Sequence, residues 1–321
     1  MKILVTGGSG FIGSHLCEKL IDEGHHVTSL DDYSTSNKNN LESLIGNQRF
    51  QSIEGSILDR DLVESLIHGT DICFHFAAAV GVQKILDDPI GSLKTNLIGS
   101  ENIIELCSNL GKKLLLASTS EIYGKNQSQP LTEESDRVLG SPLLSRWTYS
   151  EAKAIDEALA RAYFDKYGLK MKIVRLFNTV GPRQSPAYGM VIPRFFKAAL
   201  HDNPLTIHGD GSQKRVFCHV SDAVSGIMSL WNAPDGWGEA FNVGGFEETT
   251  ILELATKIIE LCDSRSNIEF VSYDSLKKIG FEDMGRRVPS TSKLHALSGW
   301  KPRVSLDEIL LSYLNSIRIK S

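Results

Sequence analysis

The segment that most restricts the fold is the first one, KILVTGGSGFIG. Residues 2–6 form a strand-length run with an apolar centre, and Phe11, Ile12, Leu16, Leu20 and Ile21 then recur at helical spacing through residue 23. Between them the glycines satisfy both Gly8-x-Gly10-x-x-Gly13 and Gly7-x-x-Gly10-x-x-Gly13. Glycine lets a backbone turn sharply and approach a pyrophosphate, and the helix that follows presents N–H groups and a partial positive charge. Gly7, Gly10, Phe11, Ile12 and Gly13 are therefore candidate phosphate contacts. A second strand, HVTSLD (26–31), closes on Asp31, 18 residues past Gly13. An acid there accepts hydrogen bonds from an adenosine ribose and repels a 2′-phosphate, so the pattern predicts NAD rather than NADP, with Asp32 able to share the role.

The alternation continues. Strands are expected at 49–55, 71–79, 112–118 and 171–178, and helices at 90–109 and at 148–167, the latter closed by Gly168. Apolar strands separated by helices predict an α/β fold, a Rossmann-type doubly wound parallel sheet that binds ligands at the carboxyl ends of its strands. After residue 178 the chain becomes richer in Gly, Pro and charge, as in HDNPLTIHGDGSQKR and NAPDGWGE. The expected division is a cofactor domain over 1–177, with 216–245 returning to it, and a smaller α/β substrate lobe over 178–215 and 246–321. The polar stretch YSTSNKNN (33–40) is expected to be a mobile loop.

Composition removes several classes. A net charge of −5 leaves no electrostatic footprint for nucleic acid or an anionic membrane, and the apolar runs are too short for a membrane span. No leader pattern is legible at the start. The five cysteines include no Cys-x-x-Cys pair, so neither a metal site nor a disulfide framework is indicated, and a reducing cytoplasm is expected.

Two clusters carry chemistry. Tyr149 and Lys153 are four residues apart near the start of a helix, on one face; a lysine cation there favours the phenolate and suits the tyrosine to act as a general base. The apolar strand at 112–118 runs into Ser118, Thr119, Ser120 and then a carboxylate, Glu121. Its alternatives are a solvent-facing strand-end charge and a group that takes part in the reaction. His75, inside ICFHFAAA, reads as a satisfied core residue.

TGGSGFIG, FHFAAA, ASTSEIYG, Tyr149-x-x-x-Lys153 and RLFNTVGPR together resemble the extended short-chain dehydrogenase/reductase family, in its nucleotide-sugar-modifying branch, over residues 1 to about 318. The resemblance implies NAD in the Rossmann domain, a UDP-sugar in the lobe, and Thr119, Ser120, Glu121, Tyr149 and Lys153 as the catalytic set. It places Ile57, Ala77, Ala78, Ala79, Asn96, Ser118, Thr179 and Val180 against the cofactor. It places Asn178, Arg183, Val191, His208, Arg215 and Arg287 against the substrate. Ser56 departs from the aspartate of many relatives, which shifts adenine contacts to the Ile57 backbone. A homodimer through the helices at 90–109 and 148–167 is also implied.

Within that branch, Thr-Ser-Glu at 119–121 resembles UDP-glucuronate decarboxylases, although GDP-mannose 4,6-dehydratases share it. Arg146-Trp147-Thr148-Tyr149 and Arg287-Val288-Pro289 also lean toward decarboxylation of UDP-glucuronate to UDP-xylose or a 4-keto pentose. GPRQSPAYGMVIPRF is equally similar to UDP-sugar 4-epimerases, which have no evident need for Glu121. A 4,6-dehydratase and a non-catalytic NAD-binding scaffold complete the alternatives.

Overall fold

The computed structural model describes residues 1–81, 87–185, 190–272 and 284–318. Parts of the expected substrate lobe, at 186–189, 273–283 and 319–321, lie outside the described residues.

Seven parallel strands form the central sheet. They are β1 (Lys2–Thr6), β2 (His26–Asp31), β3 (Phe50–Glu54), β4 (Ile72–His75), β5 (Lys113–Thr119), β6 (Met171–Leu176) and, beyond β6, Ala240–Val243. Their order is β3-β2-β1-β4-β5-β6 followed by Ala240–Val243, so the winding reverses between β1 and β4. The strand period of two sends alternate side chains to opposite faces. Val5, Leu115 and Ala117 join Leu16, Leu20, Ala223 and Ile227 of the helices Phe11–Asp22 and Val220–Asn232. Leu4, Leu114 and Leu116 join Val63, Ile103 and Ala160 of the helices Arg60–His68, Ser100–Asn109 and Thr148–Tyr167 on the other face. Burial on both faces explains why these strands read as apolar runs rather than alternating ones.

A third core belongs to the later half of the chain. Ile192, Phe195, Leu254, Ile258, Ile309 and Leu314 come together from the helices Val191–Ala199, Ile251–Cys262 and Leu306–Arg318. Beside it a small sheet pairs Lys214–Val216 with Glu248–Thr250 and with Arg286–Arg287, which sets Arg287 opposite Arg215 in register.

Three local expectations change. The strand expected at 71–79 ends at His75, and Phe76–Val80 leaves the sheet as irregular chain. The helix expected at 90–109 is interrupted by a π turn, Thr95–Gly99, between Pro89–Lys94 and Ser100–Asn109. The cause sits inside that turn: the Asn96 carboxamide accepts from Ala79 N at 2.7 Å and donates to Ala79 O at 3.1 Å, which pins the departing chain to the helix. The segment expected as a loop at 33–40 runs into a 3-10 helix, Lys38–Leu44, capped by Asn37 and anchored by buried Leu41 and Leu44.

Behind the carboxyl half of β5 lies a polar brace. Arg175 on β6 donates three times to Glu157 of the helix Thr148–Tyr167, at 2.7, 3.0 and 3.2 Å, and once to the Tyr123 hydroxyl at 2.9 Å. Glu157 accepts from Ser118 Oγ at 2.5 Å, and Tyr123 donates to Asn242 at 2.7 Å. Both members of the Arg175–Glu157 pair are close to nine-tenths buried, at 13% and 11% exposure. Removing one partner leaves the other charge uncompensated. Arg175→Met should therefore cost about 3–5 kcal/mol in a denaturant melt, with cofactor affinity falling as β5 loosens; a loss below about 1 kcal/mol, the range of an exposed pair, contradicts the brace.

Candidate active site

A cleft of about 1310 Å³ runs along the carboxyl ends of the strands. Its cofactor half is built by the first strand–turn–helix. Gly7 sits at φ +70°, where a Cβ would lie 2.6 Å from Ala77 N, and a Cβ on Gly13 would strike the Gly7 carbonyl oxygen. No side chain caps the helix Phe11–Asp22 at Gly10, and Gly7, Gly10, Phe11, Ile12 and Gly13 all line the cleft. Asp31 Oδ2 accepts from Ser9 N at 2.9 Å, while Oδ1 accepts from Tyr33 N at 2.9 Å and Ser36 Oγ at 2.7 Å. Burial raises its pKa against those donors. Asp32 is exposed and accepts from Ser34 N, yet it also borders the cleft. Close-approach glycines, an uncapped helix N-terminus and a terminal acid on β2 together fit a dinucleotide.

Other expected cofactor positions divide. Ile57, Ala77, Ala78, Ser118, Thr179 and Val180 line the cleft. Ala79 and Asn96 do not: they are 5% and 2% exposed and bond to each other, so they brace the wall from behind. The Ile57 carbonyl is occupied by Asn102 Nδ2 at 3.1 Å, and the Ser118 hydroxyl points back to Glu157.

The reacting half sits where β5 meets the helix Thr148–Tyr167. Thr119 caps the 3-10 turn Ser120–Tyr123, its Oγ1 accepting from Glu121 N at 3.2 Å. Ser150 Oγ donates to the Glu121 carbonyl at 2.8 Å, tying that turn to the helix. Tyr149 and Lys153 both reach the cleft one helical turn apart. The expected phenolate stabilisation is not present in this state. Burial pushes the Tyr149 pKa up, and the carboxylates of Glu121 and Asp156 push it further. Lys153, 2% exposed, gives its charge to Asp156 at 3.2 Å instead.

Glu121 is neither solvent-facing nor free to exchange protons. One carboxylate oxygen pairs with Arg287 Nη1, and the other lies 2.5 Å from Arg146 Nη2. The three side chains are 19%, 11% and 13% exposed. Burial raises the Glu121 pKa, but the two guanidinium charges outweigh it and bring the group down to about 2. Arg287 Nη2 also donates to Asn178 Oδ1 at 2.7 Å, and Asn178 Nδ2 holds the Val216 carbonyl at 2.9 Å. The small sheet thus delivers Arg287 across the cleft to the end of β5.

Of the remaining expected substrate residues, Val191, His208 and Arg215 line the cleft, Arg215 being 6% exposed. Arg183 borders it too, but its guanidinium turns to the first helix, bonding Ser14 Oγ at 3.2 Å and Glu18 at 2.6 Å. It holds a left-handed φ of 73° and ties the later half of the chain to the Rossmann helix rather than presenting free charge to a sugar.

These features agree with the comparisons. Residues 4–312 match the protein family described as GDP-mannose 4,6 dehydratase. The chain belongs to that family. It is 38% identical to a UDP-N-acetyl-alpha-D-glucosaminuronate decarboxylase of Bacillus cytotoxicus, over 96% of this chain and 94% of that one. It is 39% identical to UDP-glucuronic acid decarboxylase 1 of Danio rerio, over 96% and 70%. The structure of a UDP-glucuronic acid 4-epimerase from Bacillus cereus, in complex with UDP-glucuronic acid and NAD, superposes with a TM-score of 0.90 at 30% identity, covering all of both chains. The NAD-dependent epimerase/dehydratase resemblance and the Rossmann-type fold both hold.

Arg146 and Asp156 were not among the site residues expected from sequence. The RWTY stretch marked Arg146 only by likeness, because its partner Glu121 lies on a different element. Asp156, three residues past Lys153, looked like one more charge in a charged helix.

The low pKa of Glu121 sets a stability window. A carboxylate depressed from about 4.3 in the unfolded chain contributes fully above that value, and the contribution is lost as pH falls through its folded pKa of about 2. Between those limits the Tm of the protein should fall more steeply with acid than that of Glu121→Gln, and parallel slopes would show an ordinary surface acid.

Proposed function

We propose that this chain is a UDP-uronate decarboxylase that uses tightly held NAD and passes through a 4-keto sugar, with UDP-glucuronate as the leading substrate. The observation that carries the reading is the Arg146–Glu121–Arg287 cluster at the end of β5, close enough to Tyr149 to shift its pKa. Two guanidiniums and one carboxylate leave one net positive charge at the reacting end of the cleft. A neutral hexose would leave that charge uncompensated, whereas a uronate carboxylate balances it. Arg287 Nε, buried, has no acceptor among the described residues, which offers a donor for a ligand oxygen. Both decarboxylase relatives are named for UDP-linked uronates, and the epimerase neighbour holds one.

The chain's residues take these roles. When bound, NAD supplies the hydride acceptor for C4 and returns the hydride at the end. Gly7, Gly10 and Gly13 let the backbone approach its pyrophosphate, and Asp31 meets its ribose. Tyr149 removes the proton of the C4 hydroxyl, and Lys153 holds the nicotinamide ribose. The resulting 4-keto uronate is a β-keto acid. As CO₂ leaves, the C5–C6 bonding pair forms a C4–C5 enolate whose C4 oxygen accepts from the Tyr149 hydroxyl and Thr119, and C5 then takes a proton from water. Glu121 stays ionised throughout: it orients the two arginines and prevents them from over-stabilising the carboxylate that has to depart.

Incubating the purified protein with UDP-glucuronate, and separately with its 2-acetamido analogue, without added NAD, should release CO₂ and give a UDP-pentose; a 4-keto pentose formed only up to the amount of bound NAD would show that the hydride is not returned. UDP-galacturonate with no CO₂ would replace this reading by the 4-epimerase one, which the Bacillus cereus neighbour favours. Glu121→Gln should keep NAD but lower KM and kcat together, because uncompensated arginines grip the ground state. Loss of kcat at unchanged KM, with a vanished pH limb, would make Glu121 an acid or base instead.

A homodimer is part of the proposal. Ile90, Ile98 and Ile155, on the helices expected to pair, are 69%, 45% and 52% exposed. Light scattering should show a dimer that Ile155→Glu converts to monomer. A cytoplasmic location is also part of the proposal; four of the five cysteines are buried.

A further inference from the structure

A buried chain of hydrogen bonds runs from the phosphate loop to the lysine. Ala77 N donates to Thr6 Oγ1 at 3.2 Å, and Thr6 Oγ1 meets His75 Nδ1 at 2.7 Å. His75 Nε2 meets Ser100 Oγ at 3.1 Å, Ser100 Oγ donates to Asp156 Oδ2 at 2.9 Å, and Lys153 Nζ donates to the same oxygen at 3.2 Å. Thr6, His75, Ser100, Lys153 and Asp156 are each at most 2% exposed.

The direction of the chain follows from its ends. Asp156 can only accept, so Ser100 spends its proton on it, and His75 Nε2 must carry the hydrogen that Ser100 receives. Nδ1 is then the bare nitrogen that accepts from Thr6. His75 is held neutral, in agreement with a pKa lowered well below its ordinary value by burial and by Lys153. Every donor points toward Asp156. No proton needs to move for this chain to act, because its polarity is fixed by the tautomer.

We propose that Asp156 is a positioning residue: it fixes Lys153 Nζ one helical turn from Tyr149 and, as an anion, raises the pH at which Tyr149 can serve as base. This rests on the roles given above to Tyr149 and Lys153. Three further titratable groups face the pair. Glu157 is neutralised by Arg175, Glu121 by Arg146 and Arg287, and His75 is uncharged. Asp156 is therefore the anion whose removal changes the balance at Lys153 most directly, and burial together with Glu121 and Asp156 accounts for the raised Tyr149 pKa. The chain starts at the junction of β1 with the segment leaving β4, so the lysine anchor and the cofactor cradle share one scaffold.

The test uses the full-length protein with its bound cofactor. Asp156→Asn keeps the shape and the acceptor for Ser100 but removes the charge. The first-turnover rate with UDP-glucuronate should rise with pH in both proteins, with a midpoint in the variant lower by about one unit or more. A midpoint within about 0.3 unit of wild type overturns the proposal, since that is well below the effect of a neighbouring charge. If wild type leaves every uronate untouched, the activity reading fails separately, and NAD affinity decides. Asp156→Ala, which frees the lysine, should then bind NAD about tenfold more weakly; a folded Asp156→Ala protein with wild-type affinity overturns the anchor. If Asp156→Ala does not fold, Asp156→Asn decides by the same affinity measurement: weaker binding supports the anchor and unchanged binding overturns it.

Discussion

The parallel pairing of β5 between β4 and β6 is the constraint on which the rest of the molecule depends. Parallel strands send all their carboxyl ends to one edge, and that edge is the only place where a backbone emerging from a buried sheet meets a ligand. Thr119 and Glu121 are carried there by β5, Gly7 by β1, Asp31 by β2 and Asn178 by the chain leaving β6. The register also fixes what stands behind them. Ser118 and Arg175 are paired across β5 and β6, and Glu157 bridges them from the helix above. A site made of short polar groups at strand ends is rigid only because that polar brace is satisfied on every side.

Charge is arranged around Tyr149 in two layers with different jobs. Toward the cleft, Glu121 is bracketed by arginines and stays ionised at any physiological pH. Toward the protein interior, Asp156 is bracketed by Lys153 and Ser100. Isolated, either carboxylate would be expensive to bury; paired, each is held in one orientation by its partners. The arginines reach Glu121 from unrelated parts of the chain: Arg146 from the turn before the helix Thr148–Tyr167, and Arg287 from the small sheet, 166 residues away. Assembly of the reacting end therefore requires the later core to be packed against the Rossmann half, and Arg183 and Asn178 are the ties that do it.

Local patterns were legible in the sequence and long-range ones were not. The glycine turn, the terminal acid of β2 and the Tyr149–Lys153 spacing are each written within a few residues, and each appears in the cleft. The π turn at Thr95–Gly99 was invisible, because it comes from the bond of Asn96 to Ala79, a tertiary contact across 17 residues. The fate of Glu121 was half legible. That it lies at the site followed from its strand end, but its partners and hence its ionisation followed only from the fold. The lysine effect on Tyr149 was mistaken for the same reason: spacing on a helix face says that two groups are neighbours, not which third group takes the charge. Ala79 and Asn96 were assigned to the cofactor by resemblance, and their mutual bonds turn them into support.

With Tyr149 as the proposed base, the arrangement gives a physical reason for it to stay inactive until the site is filled. Burial and two carboxylates raise the Tyr149 pKa further above neutrality, so its hydroxyl stays protonated in the resting protein. Proton removal becomes favourable only when positive charge arrives or negative charge is redistributed. On the proposed reading a uronate carboxylate does neither, since it brings a further anion to the arginines that hold Glu121, so the positive charge would have to come from the oxidised nicotinamide. On the same reading a neutral sugar would leave the net positive charge of Arg146, Glu121 and Arg287 unmatched, which is a form of discrimination that needs no steric exclusion.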